Sequence, residues 1–252
     1  MGHDDPDAIR RHYEDAELAR AYTAARFSRP LGAVQHRRQL AAVNDAIARI
    51  GASRVLELAC GPARLTAGVT GMRRGVAVDA SAEMLAEAKR RMPPDGPWEF
   101  RLGDAFSLDL GETFDVVYTF RLLRHFRAPE RARLYSTMQA HLRDGGLAVF
   151  DAIHVAKPRM LARVESREPA RVHDHVFGSA SALTDELEGA GFEVVELRGL
   201  IRHVVLQSVV SRLTAWMRMP AAGEALIERI ERMPGGRPLE WIVLCRTPSR
   251  SS

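Results

Sequence analysis

The sequence predicts a doubly wound α/β fold on a seven-stranded, mostly parallel sheet, and three observations predict it. Short apolar runs alternate with helical stretches, and the first run leads into a small-residue turn, Cys60-Gly61-Pro62-Ala63. An acidic residue, Asp79, closes the second run 22 residues after Glu57. Alternation of this kind is the pattern of βαβ units, whose ligands sit beyond the carboxyl ends of the strands.

The elements follow in order. Residues 7–50 carry apolar side chains at helical spacing (Ile9, Tyr13, Leu18, Tyr22, then Leu31, Val34, Leu40, Val43, Ile47), broken at Ser28-Arg29-Pro30 because proline disfavours helix before it. A helical N-terminal cap, residues 1–50, is expected, followed by one domain over 51–252. Strands are expected at Arg54–Ala59, Gly75–Asp79, Trp98–Leu102, Phe114–Phe120, Leu147–Ile153, Phe192–Leu197 and Leu239–Cys245. Helices are expected at Arg64–Met72, Ser81–Arg91, Pro129–Leu142 and Leu183–Ala190. Two helical insertions interrupt the alternation, 154–180 and 204–233, and both are candidate substrate lids, since long connections in compact domains are often functional. In the second insertion the stripe Val209, Leu213, Trp216, Ala225, Ile227, Ile230 is expected to face the core, the alternative being a lid or dimer face.

Composition narrows the function classes. The 252 residues include 46% hydrophobic and 27% charged side chains, an ordinary globular balance. Cys60 and Cys245 are the two cysteines, too few for a disulfide framework, so a reducing compartment is expected. The start, MGHDDPDAIRRHYEDAE, has no apolar signal core, and no run reaches 18 apolar residues, so neither secretion nor a membrane span is expected and the reading is cytoplasmic. The net charge of +4 comes from arginines spread along the chain, which argues against a nucleic-acid stripe. His173 and His175 have no acidic partner pattern beside them, and no metal site is expected.

A glycine-bearing turn after the first strand, with an acidic residue ending the second, is how such folds hold an adenosine moiety. Asp79 is then the ribose partner, while Ser81 suits the cap of the next helix better than Asp79 does. The turn reads Glu-Leu-Ala-Cys-Gly-Pro-Ala-Arg, and Gly61 alone remains of the glycines a dinucleotide fingerprint requires. Glu57, inside the first strand, sits badly with a pyrophosphate and well with a cationic ligand.

These motifs resemble the class I S-adenosylmethionine-dependent methyltransferases. The resemblance is carried by VLELACGPARLT, VAVDASAEML around Asp79, LGDAFSLDL around Asp104, FDVVYTFRLLRHF and LRDGGLAVFDA, in order over residues 53 to about 155. It continues loosely through GAGFEVVEL to EWIVLCR, and is nearest the small-molecule branch that includes the ubiquinone and menaquinone biosynthesis enzymes. The resemblance implies a Rossmann-like methyltransferase fold and S-adenosylmethionine as cofactor, with S-adenosylhomocysteine as product. It implies that Glu57, Ala59 and Gly61 line the methionine part, that Asp79 and Ala80 meet the ribose, and that Met84 packs on the adenine. Asp104, Ala105 and Phe106 would take the adenine edge, and Phe120 and Arg121 would lie beside the transferable methyl. Tyr13, Tyr22 and Arg26 of the cap would cover the cofactor. Ala59 and Ala63 stand where the family usually has glycine.

Methyl transfer from a sulfonium needs positioning above all. A hydroxyl or ammonium acceptor also needs a base, and His125 is the first candidate, with His154, after the fifth strand, the second. The alternative for His125 is an exposed helix residue between arginines. The expected partner is a small-molecule acceptor with an O, N or C nucleophile, taken up by a monomer or homodimer. Two rivals remain: a cofactor-binding scaffold without transfer, regulatory or pericyclase-like, and a nicotinamide-dependent oxidoreductase.

Overall fold

The computed structural model describes residues 29–154 and 177–248. Helix α1 (Pro30–Ile50) leads into β1 (Arg54–Leu58), β2 (Arg74–Asp79), α2 (Ala82–Arg91), β3 (Trp98–Leu102) and β4 (Phe114–Thr119). There follow α3 (Ala128–Ala140), β5 (Leu142–Ile153), α4 (Ala180–Gly189), β6 (Glu193–Leu200), α5 (Val204–Trp216), α6 (Pro220–Glu231) and β7 (Glu240–Arg246). The sheet order is β3-β2-β1-β4-β5-β7-β6, with β7 antiparallel to both neighbours and the other pairs parallel. All seven expected strands are present.

Local chemistry explains the element ends. Pro30 opens α1, where its missing N–H costs nothing, and Gly51 closes it at φ 58. Ser81 caps α2, its hydroxyl accepting from Met84 N at 3.1 Å. Alternate residues of the central strands feed two layers. Leu56, Leu58, Val117, Phe150 and Val243 pack against Tyr135 and Met138 of α3 and Leu183 and Leu187 of α4. On the opposite face Val55, Val116, Val149 and Ile242 pack against Val43 and Ile47 of α1.

Three expectations are corrected. Residues 64–72 form turns and a single 3₁₀ turn, Thr66–Gly68, in place of a helix. Gly68 approaches Leu40 so closely that a Cβ would stand 2.4 Å from its Cδ2, and β-branched Val69 and Thr70 with Gly71 follow. Strand β5 begins at Leu142, five residues before expectation, because Gly145 at φ 69 carries the chain through an irregular start that pairing with Phe114 still captures. The third concerns α5. Its buried residues are Gln207, Ser208, Ser211 and Thr214, whereas Val209, Leu213 and Trp216 are exposed, Trp216 by 81%. Ala225 of α6 is exposed too, and Ile227 and Ile230 are buried as expected.

Polar contacts explain this inversion. Ser211 Oγ accepts the otherwise unpaired Leu31 N at 3.1 Å in the first turn of α1, and Gln207 Nε2 donates to Glu231 Oε2 at 2.6 Å. Arg37 and Arg38 of α1 pair with Glu224 and Glu228 of α6. The second insertion thus docks on α1 through polar groups.

Candidate active site

A cleft enclosing about 1050 Å³, part of it open to solvent, lies beyond the carboxyl ends of β1, β2 and β4. This is the topological switch point, where β1 is flanked by β2 on one side and β4 on the other. Its walls include Glu57, Ala59, Gly61, Asp79, Ala80, Met84, Asp104, Ala105, Phe106, Phe120, Arg121 and His125. The sequence therefore selected residues that folding brings together. His154 is not among the lining residues: its ring stacks on Trp241 at 4.1 Å and its Nδ1 lies 3.1 Å from the Pro238 carbonyl. Tyr13, Tyr22, Arg26, His173 and His175 lie outside the described residues.

The floor is the β1 turn. Ala59, Gly61 and Ala63 have φ of 54, 54 and 58, so both alanines occupy glycine's left-handed region, at roughly 1–2 kcal/mol of strain each. Cys60 N donates to Val78 O at 3.0 Å, which ties the turn to β2. Asp79 holds the two sides together: Oδ2 accepts from Gly61 N at 2.7 Å and Oδ1 from Ser81 N at 2.9 Å. Burial raises the Asp79 carboxyl above its ordinary range, against the pull of these backbone donors. Asp104 closes its own turn, Oδ1 accepting from Phe106 N at 2.9 Å. Phe106 meets Phe126 edge to face at 4.8 Å, and the Arg133 guanidinium covers Phe106 at 5.0 Å.

Glu57 is 4% exposed at the cleft wall. Its Oε2 accepts from Thr66 Oγ1 at 2.5 Å and Tyr118 OH at 2.7 Å. Burial pushes the carboxyl up to about 7, with Asp79 adding and with Thr66, Tyr118 and Arg64 opposing. His125 stands on the 3₁₀ turn Leu123–His125 and is 5% exposed, so the exposed-helix alternative is overturned.

Sequence reasoning gave no role to Arg64, yet it lines the cleft and is 9% exposed. Its Nη2 donates to Gln39 Oε1 at 2.8 Å and its Nη1 lies 2.9 Å from His36 Nδ1. Burial, then the charges of Arg64, Arg37 and Arg91, lower His36 to about 4, so the neutral ring accepts that contact at pH 7. The available signal was Glu57 itself, since a carboxylate inside a strand calls for a nearby cation. Cys60, Pro62, Leu65, Ser81, Gly103, Leu122 and Phe126 complete the lining.

Among the described residues no group of three or more His, Cys, Asp or Glu side chains could hold a metal ion, and no helix is long and apolar enough to cross a membrane.

Residues 55–146 match the family model described as a methyltransferase domain. Among solved structures, the chain is similar to DhpI with S-adenosylhomocysteine, at 20% identity and a TM-score of 0.59, covering 99% of this chain and 100% of that one. It is similar to the N-methyltransferase NodS from Bradyrhizobium japonicum WM9 with S-adenosylhomocysteine, at 15% identity and TM-score 0.57, covering 88% and 89%. It is also similar to the glycopeptide N-methyltransferase MtfA with S-adenosylmethionine, at 19% identity and TM-score 0.53, covering 83% and 94%. At these identities the likeness establishes the Rossmann-like methyltransferase fold. No curated protein matches the chain by sequence.

Proposed function

We propose that the chain is an enzyme, an S-adenosylmethionine-dependent methyltransferase acting on a small-molecule acceptor. The observation that carries the reading is the acidic arc of Glu57, Asp79 and Asp104 around one cleft at the switch point of this fold. The cofactor fits that donor set. Its ammonium and sulfonium suit a floor with Glu57 and no phosphate cradle, its ribose hydroxyls suit Asp79, and its adenine suits the wall of Met84, Asp104, Ala105 and Phe106.

When bound, the cofactor supplies a methyl on an activated sulfonium, which an in-line nucleophile takes, leaving S-adenosylhomocysteine. Asp79 fixes Gly61 and Ser81 so that the ribose end is pre-shaped. Phe120 and Phe126 exclude water from the reacting end, and Arg121 stands at its edge. His125 is the group positioned to take a proton from a hydroxyl or ammonium acceptor.

The motif resemblance supports the small-molecule branch of ubiquinone and menaquinone type, while NodS and MtfA, by their descriptions, act on nitrogen. The acceptor atom is thus assigned only as an O, N or C nucleophile. The cap of residues 1–50, the catalytic domain of 51–252 and the lids of 154–180 and 204–233 belong to the same reading. The ion pairs from α1 to α6 support cap and lid acting as one unit. A monomer or homodimer in the cytoplasm completes it.

Calorimetric titration with S-adenosylhomocysteine and with NAD tests the cofactor: binding of the first alone is expected, and binding of NAD alone overturns the assignment. A metabolite panel screened for conversion of S-adenosylmethionine to S-adenosylhomocysteine tests the transfer. Tight cofactor binding with no turnover on any acceptor would favour the scaffold reading.

A further inference from the structure

After β4 the chain turns at Arg121, whose φ of 68 lies in the region that favours glycine. The other lining residues with positive φ are Ala59 and Gly61, so Arg121 is the one that carries a long side chain there. Something must hold this turn, and the neighbouring strand supplies it. Thr119 pairs with Phe150, and the next residue on β5, Asp151, accepts from Arg121 N through Oδ1 at 2.6 Å. Asp151 is 1% exposed, and its Oδ2 has no hydrogen-bond partner among the described residues. A buried carboxylate with an idle oxygen is an expensive way to fill space, and a buried polar group of this kind calls for an explanation.

The position explains it. Asp151 lies on the α1 face of the sheet with Tyr118 and Glu240 and is not among the residues that line the cleft. The turn it grips leads through Leu122 into Leu123–His125, and Phe120, Arg121, Leu122, His125 and Phe126 all line the reacting side. One hydrogen bond from outside the lining therefore reaches the turn that carries five lining residues.

We propose that Asp151 is the positioning residue for the reacting end of the cleft, acting through the Arg121 amide and never touching the ligand. This rests on the cofactor reading above only for its consequence in binding, and its geometric core is tested separately.

Amide hydrogen exchange reads the geometry, and paired titrations with S-adenosylhomocysteine and sinefungin read the site. Sinefungin bears an amine-substituted carbon in place of the methylsulfonium, so its affinity relative to S-adenosylhomocysteine reports the reacting end alone. In Asp151→Ala the Arg121 amide should lose about 100-fold of protection while Val149 on β5 changes by less than about threefold. The sinefungin preference should fall about tenfold or more, in line with the steep cost of small misplacements. Asp151→Asn, which keeps an acceptor oxygen, should restore both to within about threefold of wild type.

Equal protection at Arg121 in wild type and Asp151→Ala overturns the proposal. So does a loss that reaches Val149 equally, or an Asn variant as impaired as the Ala variant. A wild-type protein that binds neither ligand overturns the cofactor reading, and amide exchange still decides the role of Asp151. Should Asp151→Ala not fold, the same change in an Arg121→Gly chain decides it, because glycine adopts φ 68 without help. Folding of that double variant is expected; its failure to fold makes Asp151 a core residue and removes the positioning role.

Discussion

Tyr118 lies opposite Glu57 in the parallel β1–β4 register and donates its hydroxyl to Glu57 Oε2 at 2.7 Å, the same oxygen that takes the Thr66 hydroxyl. Two donors on one oxygen leave Oε1 for the cleft. Burial still dominates, and the carboxyl is pushed up to about 7. A cationic ligand favours the ionised form, so binding must release a proton where Glu57 is protonated. Affinity for S-adenosylhomocysteine should rise as pH goes from 5.5 to about 7 and level above it, with about half a proton released at pH 7. Titration in buffers of different ionisation enthalpy measures that release, and Glu57→Gln should abolish it. A flat wild-type profile would remove Glu57 from the ammonium end.

The same shift has a stability consequence. A raised folded pKa means that the contribution of Glu57 is intact below its unfolded value, near 4.5, and is lost as pH rises through about 7. At pH 8, Glu57→Gln should therefore stabilise the ligand-free protein by about 1–3 kcal/mol, since its amide oxygen still accepts from Thr66 and Tyr118. Denaturant unfolding of both proteins at pH 5 and pH 8 checks it, the gain being confined to the higher pH.

Asp79→Ala removes the acceptor of both Gly61 N and Ser81 N as well as the proposed ribose contact. Affinity for S-adenosylhomocysteine should fall about ten- to a hundredfold, or 1.5–3 kcal/mol. Asp79→Glu should weaken binding as well, because the longer side chain misplaces both oxygens. Unchanged affinity in both folded variants would take Asp79 out of the site.

Much of this was legible because the signals are local. Seven apolar runs and the distance from Glu57 to Asp79 report the strands and the sheet end that holds the site without any knowledge of packing. Residues 64–72 were misread because Gly68, tight against Leu40, answers to a tertiary contact that helical spacing does not encode. The face of α5 was misread for a related reason. Periodicity identifies an apolar stripe, while the side that faces inward is decided by partners, here Leu31 N for Ser211 and Glu231 for Gln207. Asp151 stands in the LRDGGLAVFDA motif without a role assigned to it there, and only the β4–β5 register reveals that it reaches Arg121.

His125 is buried and lines the cleft one turn beyond Arg121, a position from which it can accept a proton. Once an acceptor is identified, His125→Ala should lower single-turnover rates by about 10²–10⁴ if that acceptor must lose a proton. Affinity for S-adenosylhomocysteine should stay within about threefold, since binding and proton transfer are separate tasks. Equal single-turnover rates in wild type and variant would return His125 to a packing role.

Gly223 marks the point where α6 crosses α5 and α1. A Cβ there would stand 2.1 Å from Thr214 Oγ1, 2.9 Å from Thr214 Cβ and 2.9 Å from Pro30 Cγ. Rotating Thr214 moves its hydroxyl, which donates to Val210 O at 2.8 Å, but leaves its Cβ in place. The helices must separate, so Gly223→Ala should destabilise the protein by about 1–3 kcal/mol despite alanine's better helix propensity. Gly189, the last residue of α4, is the control: no atom lies within 4 Å of its added Cβ and its φ is not positive. Gly189→Ala should be neutral or stabilising by up to about 1 kcal/mol. Denaturant midpoints at matched slope measure both; equal effects of the two substitutions would mean that α5, α6 and α1 do not meet at Gly223 in solution.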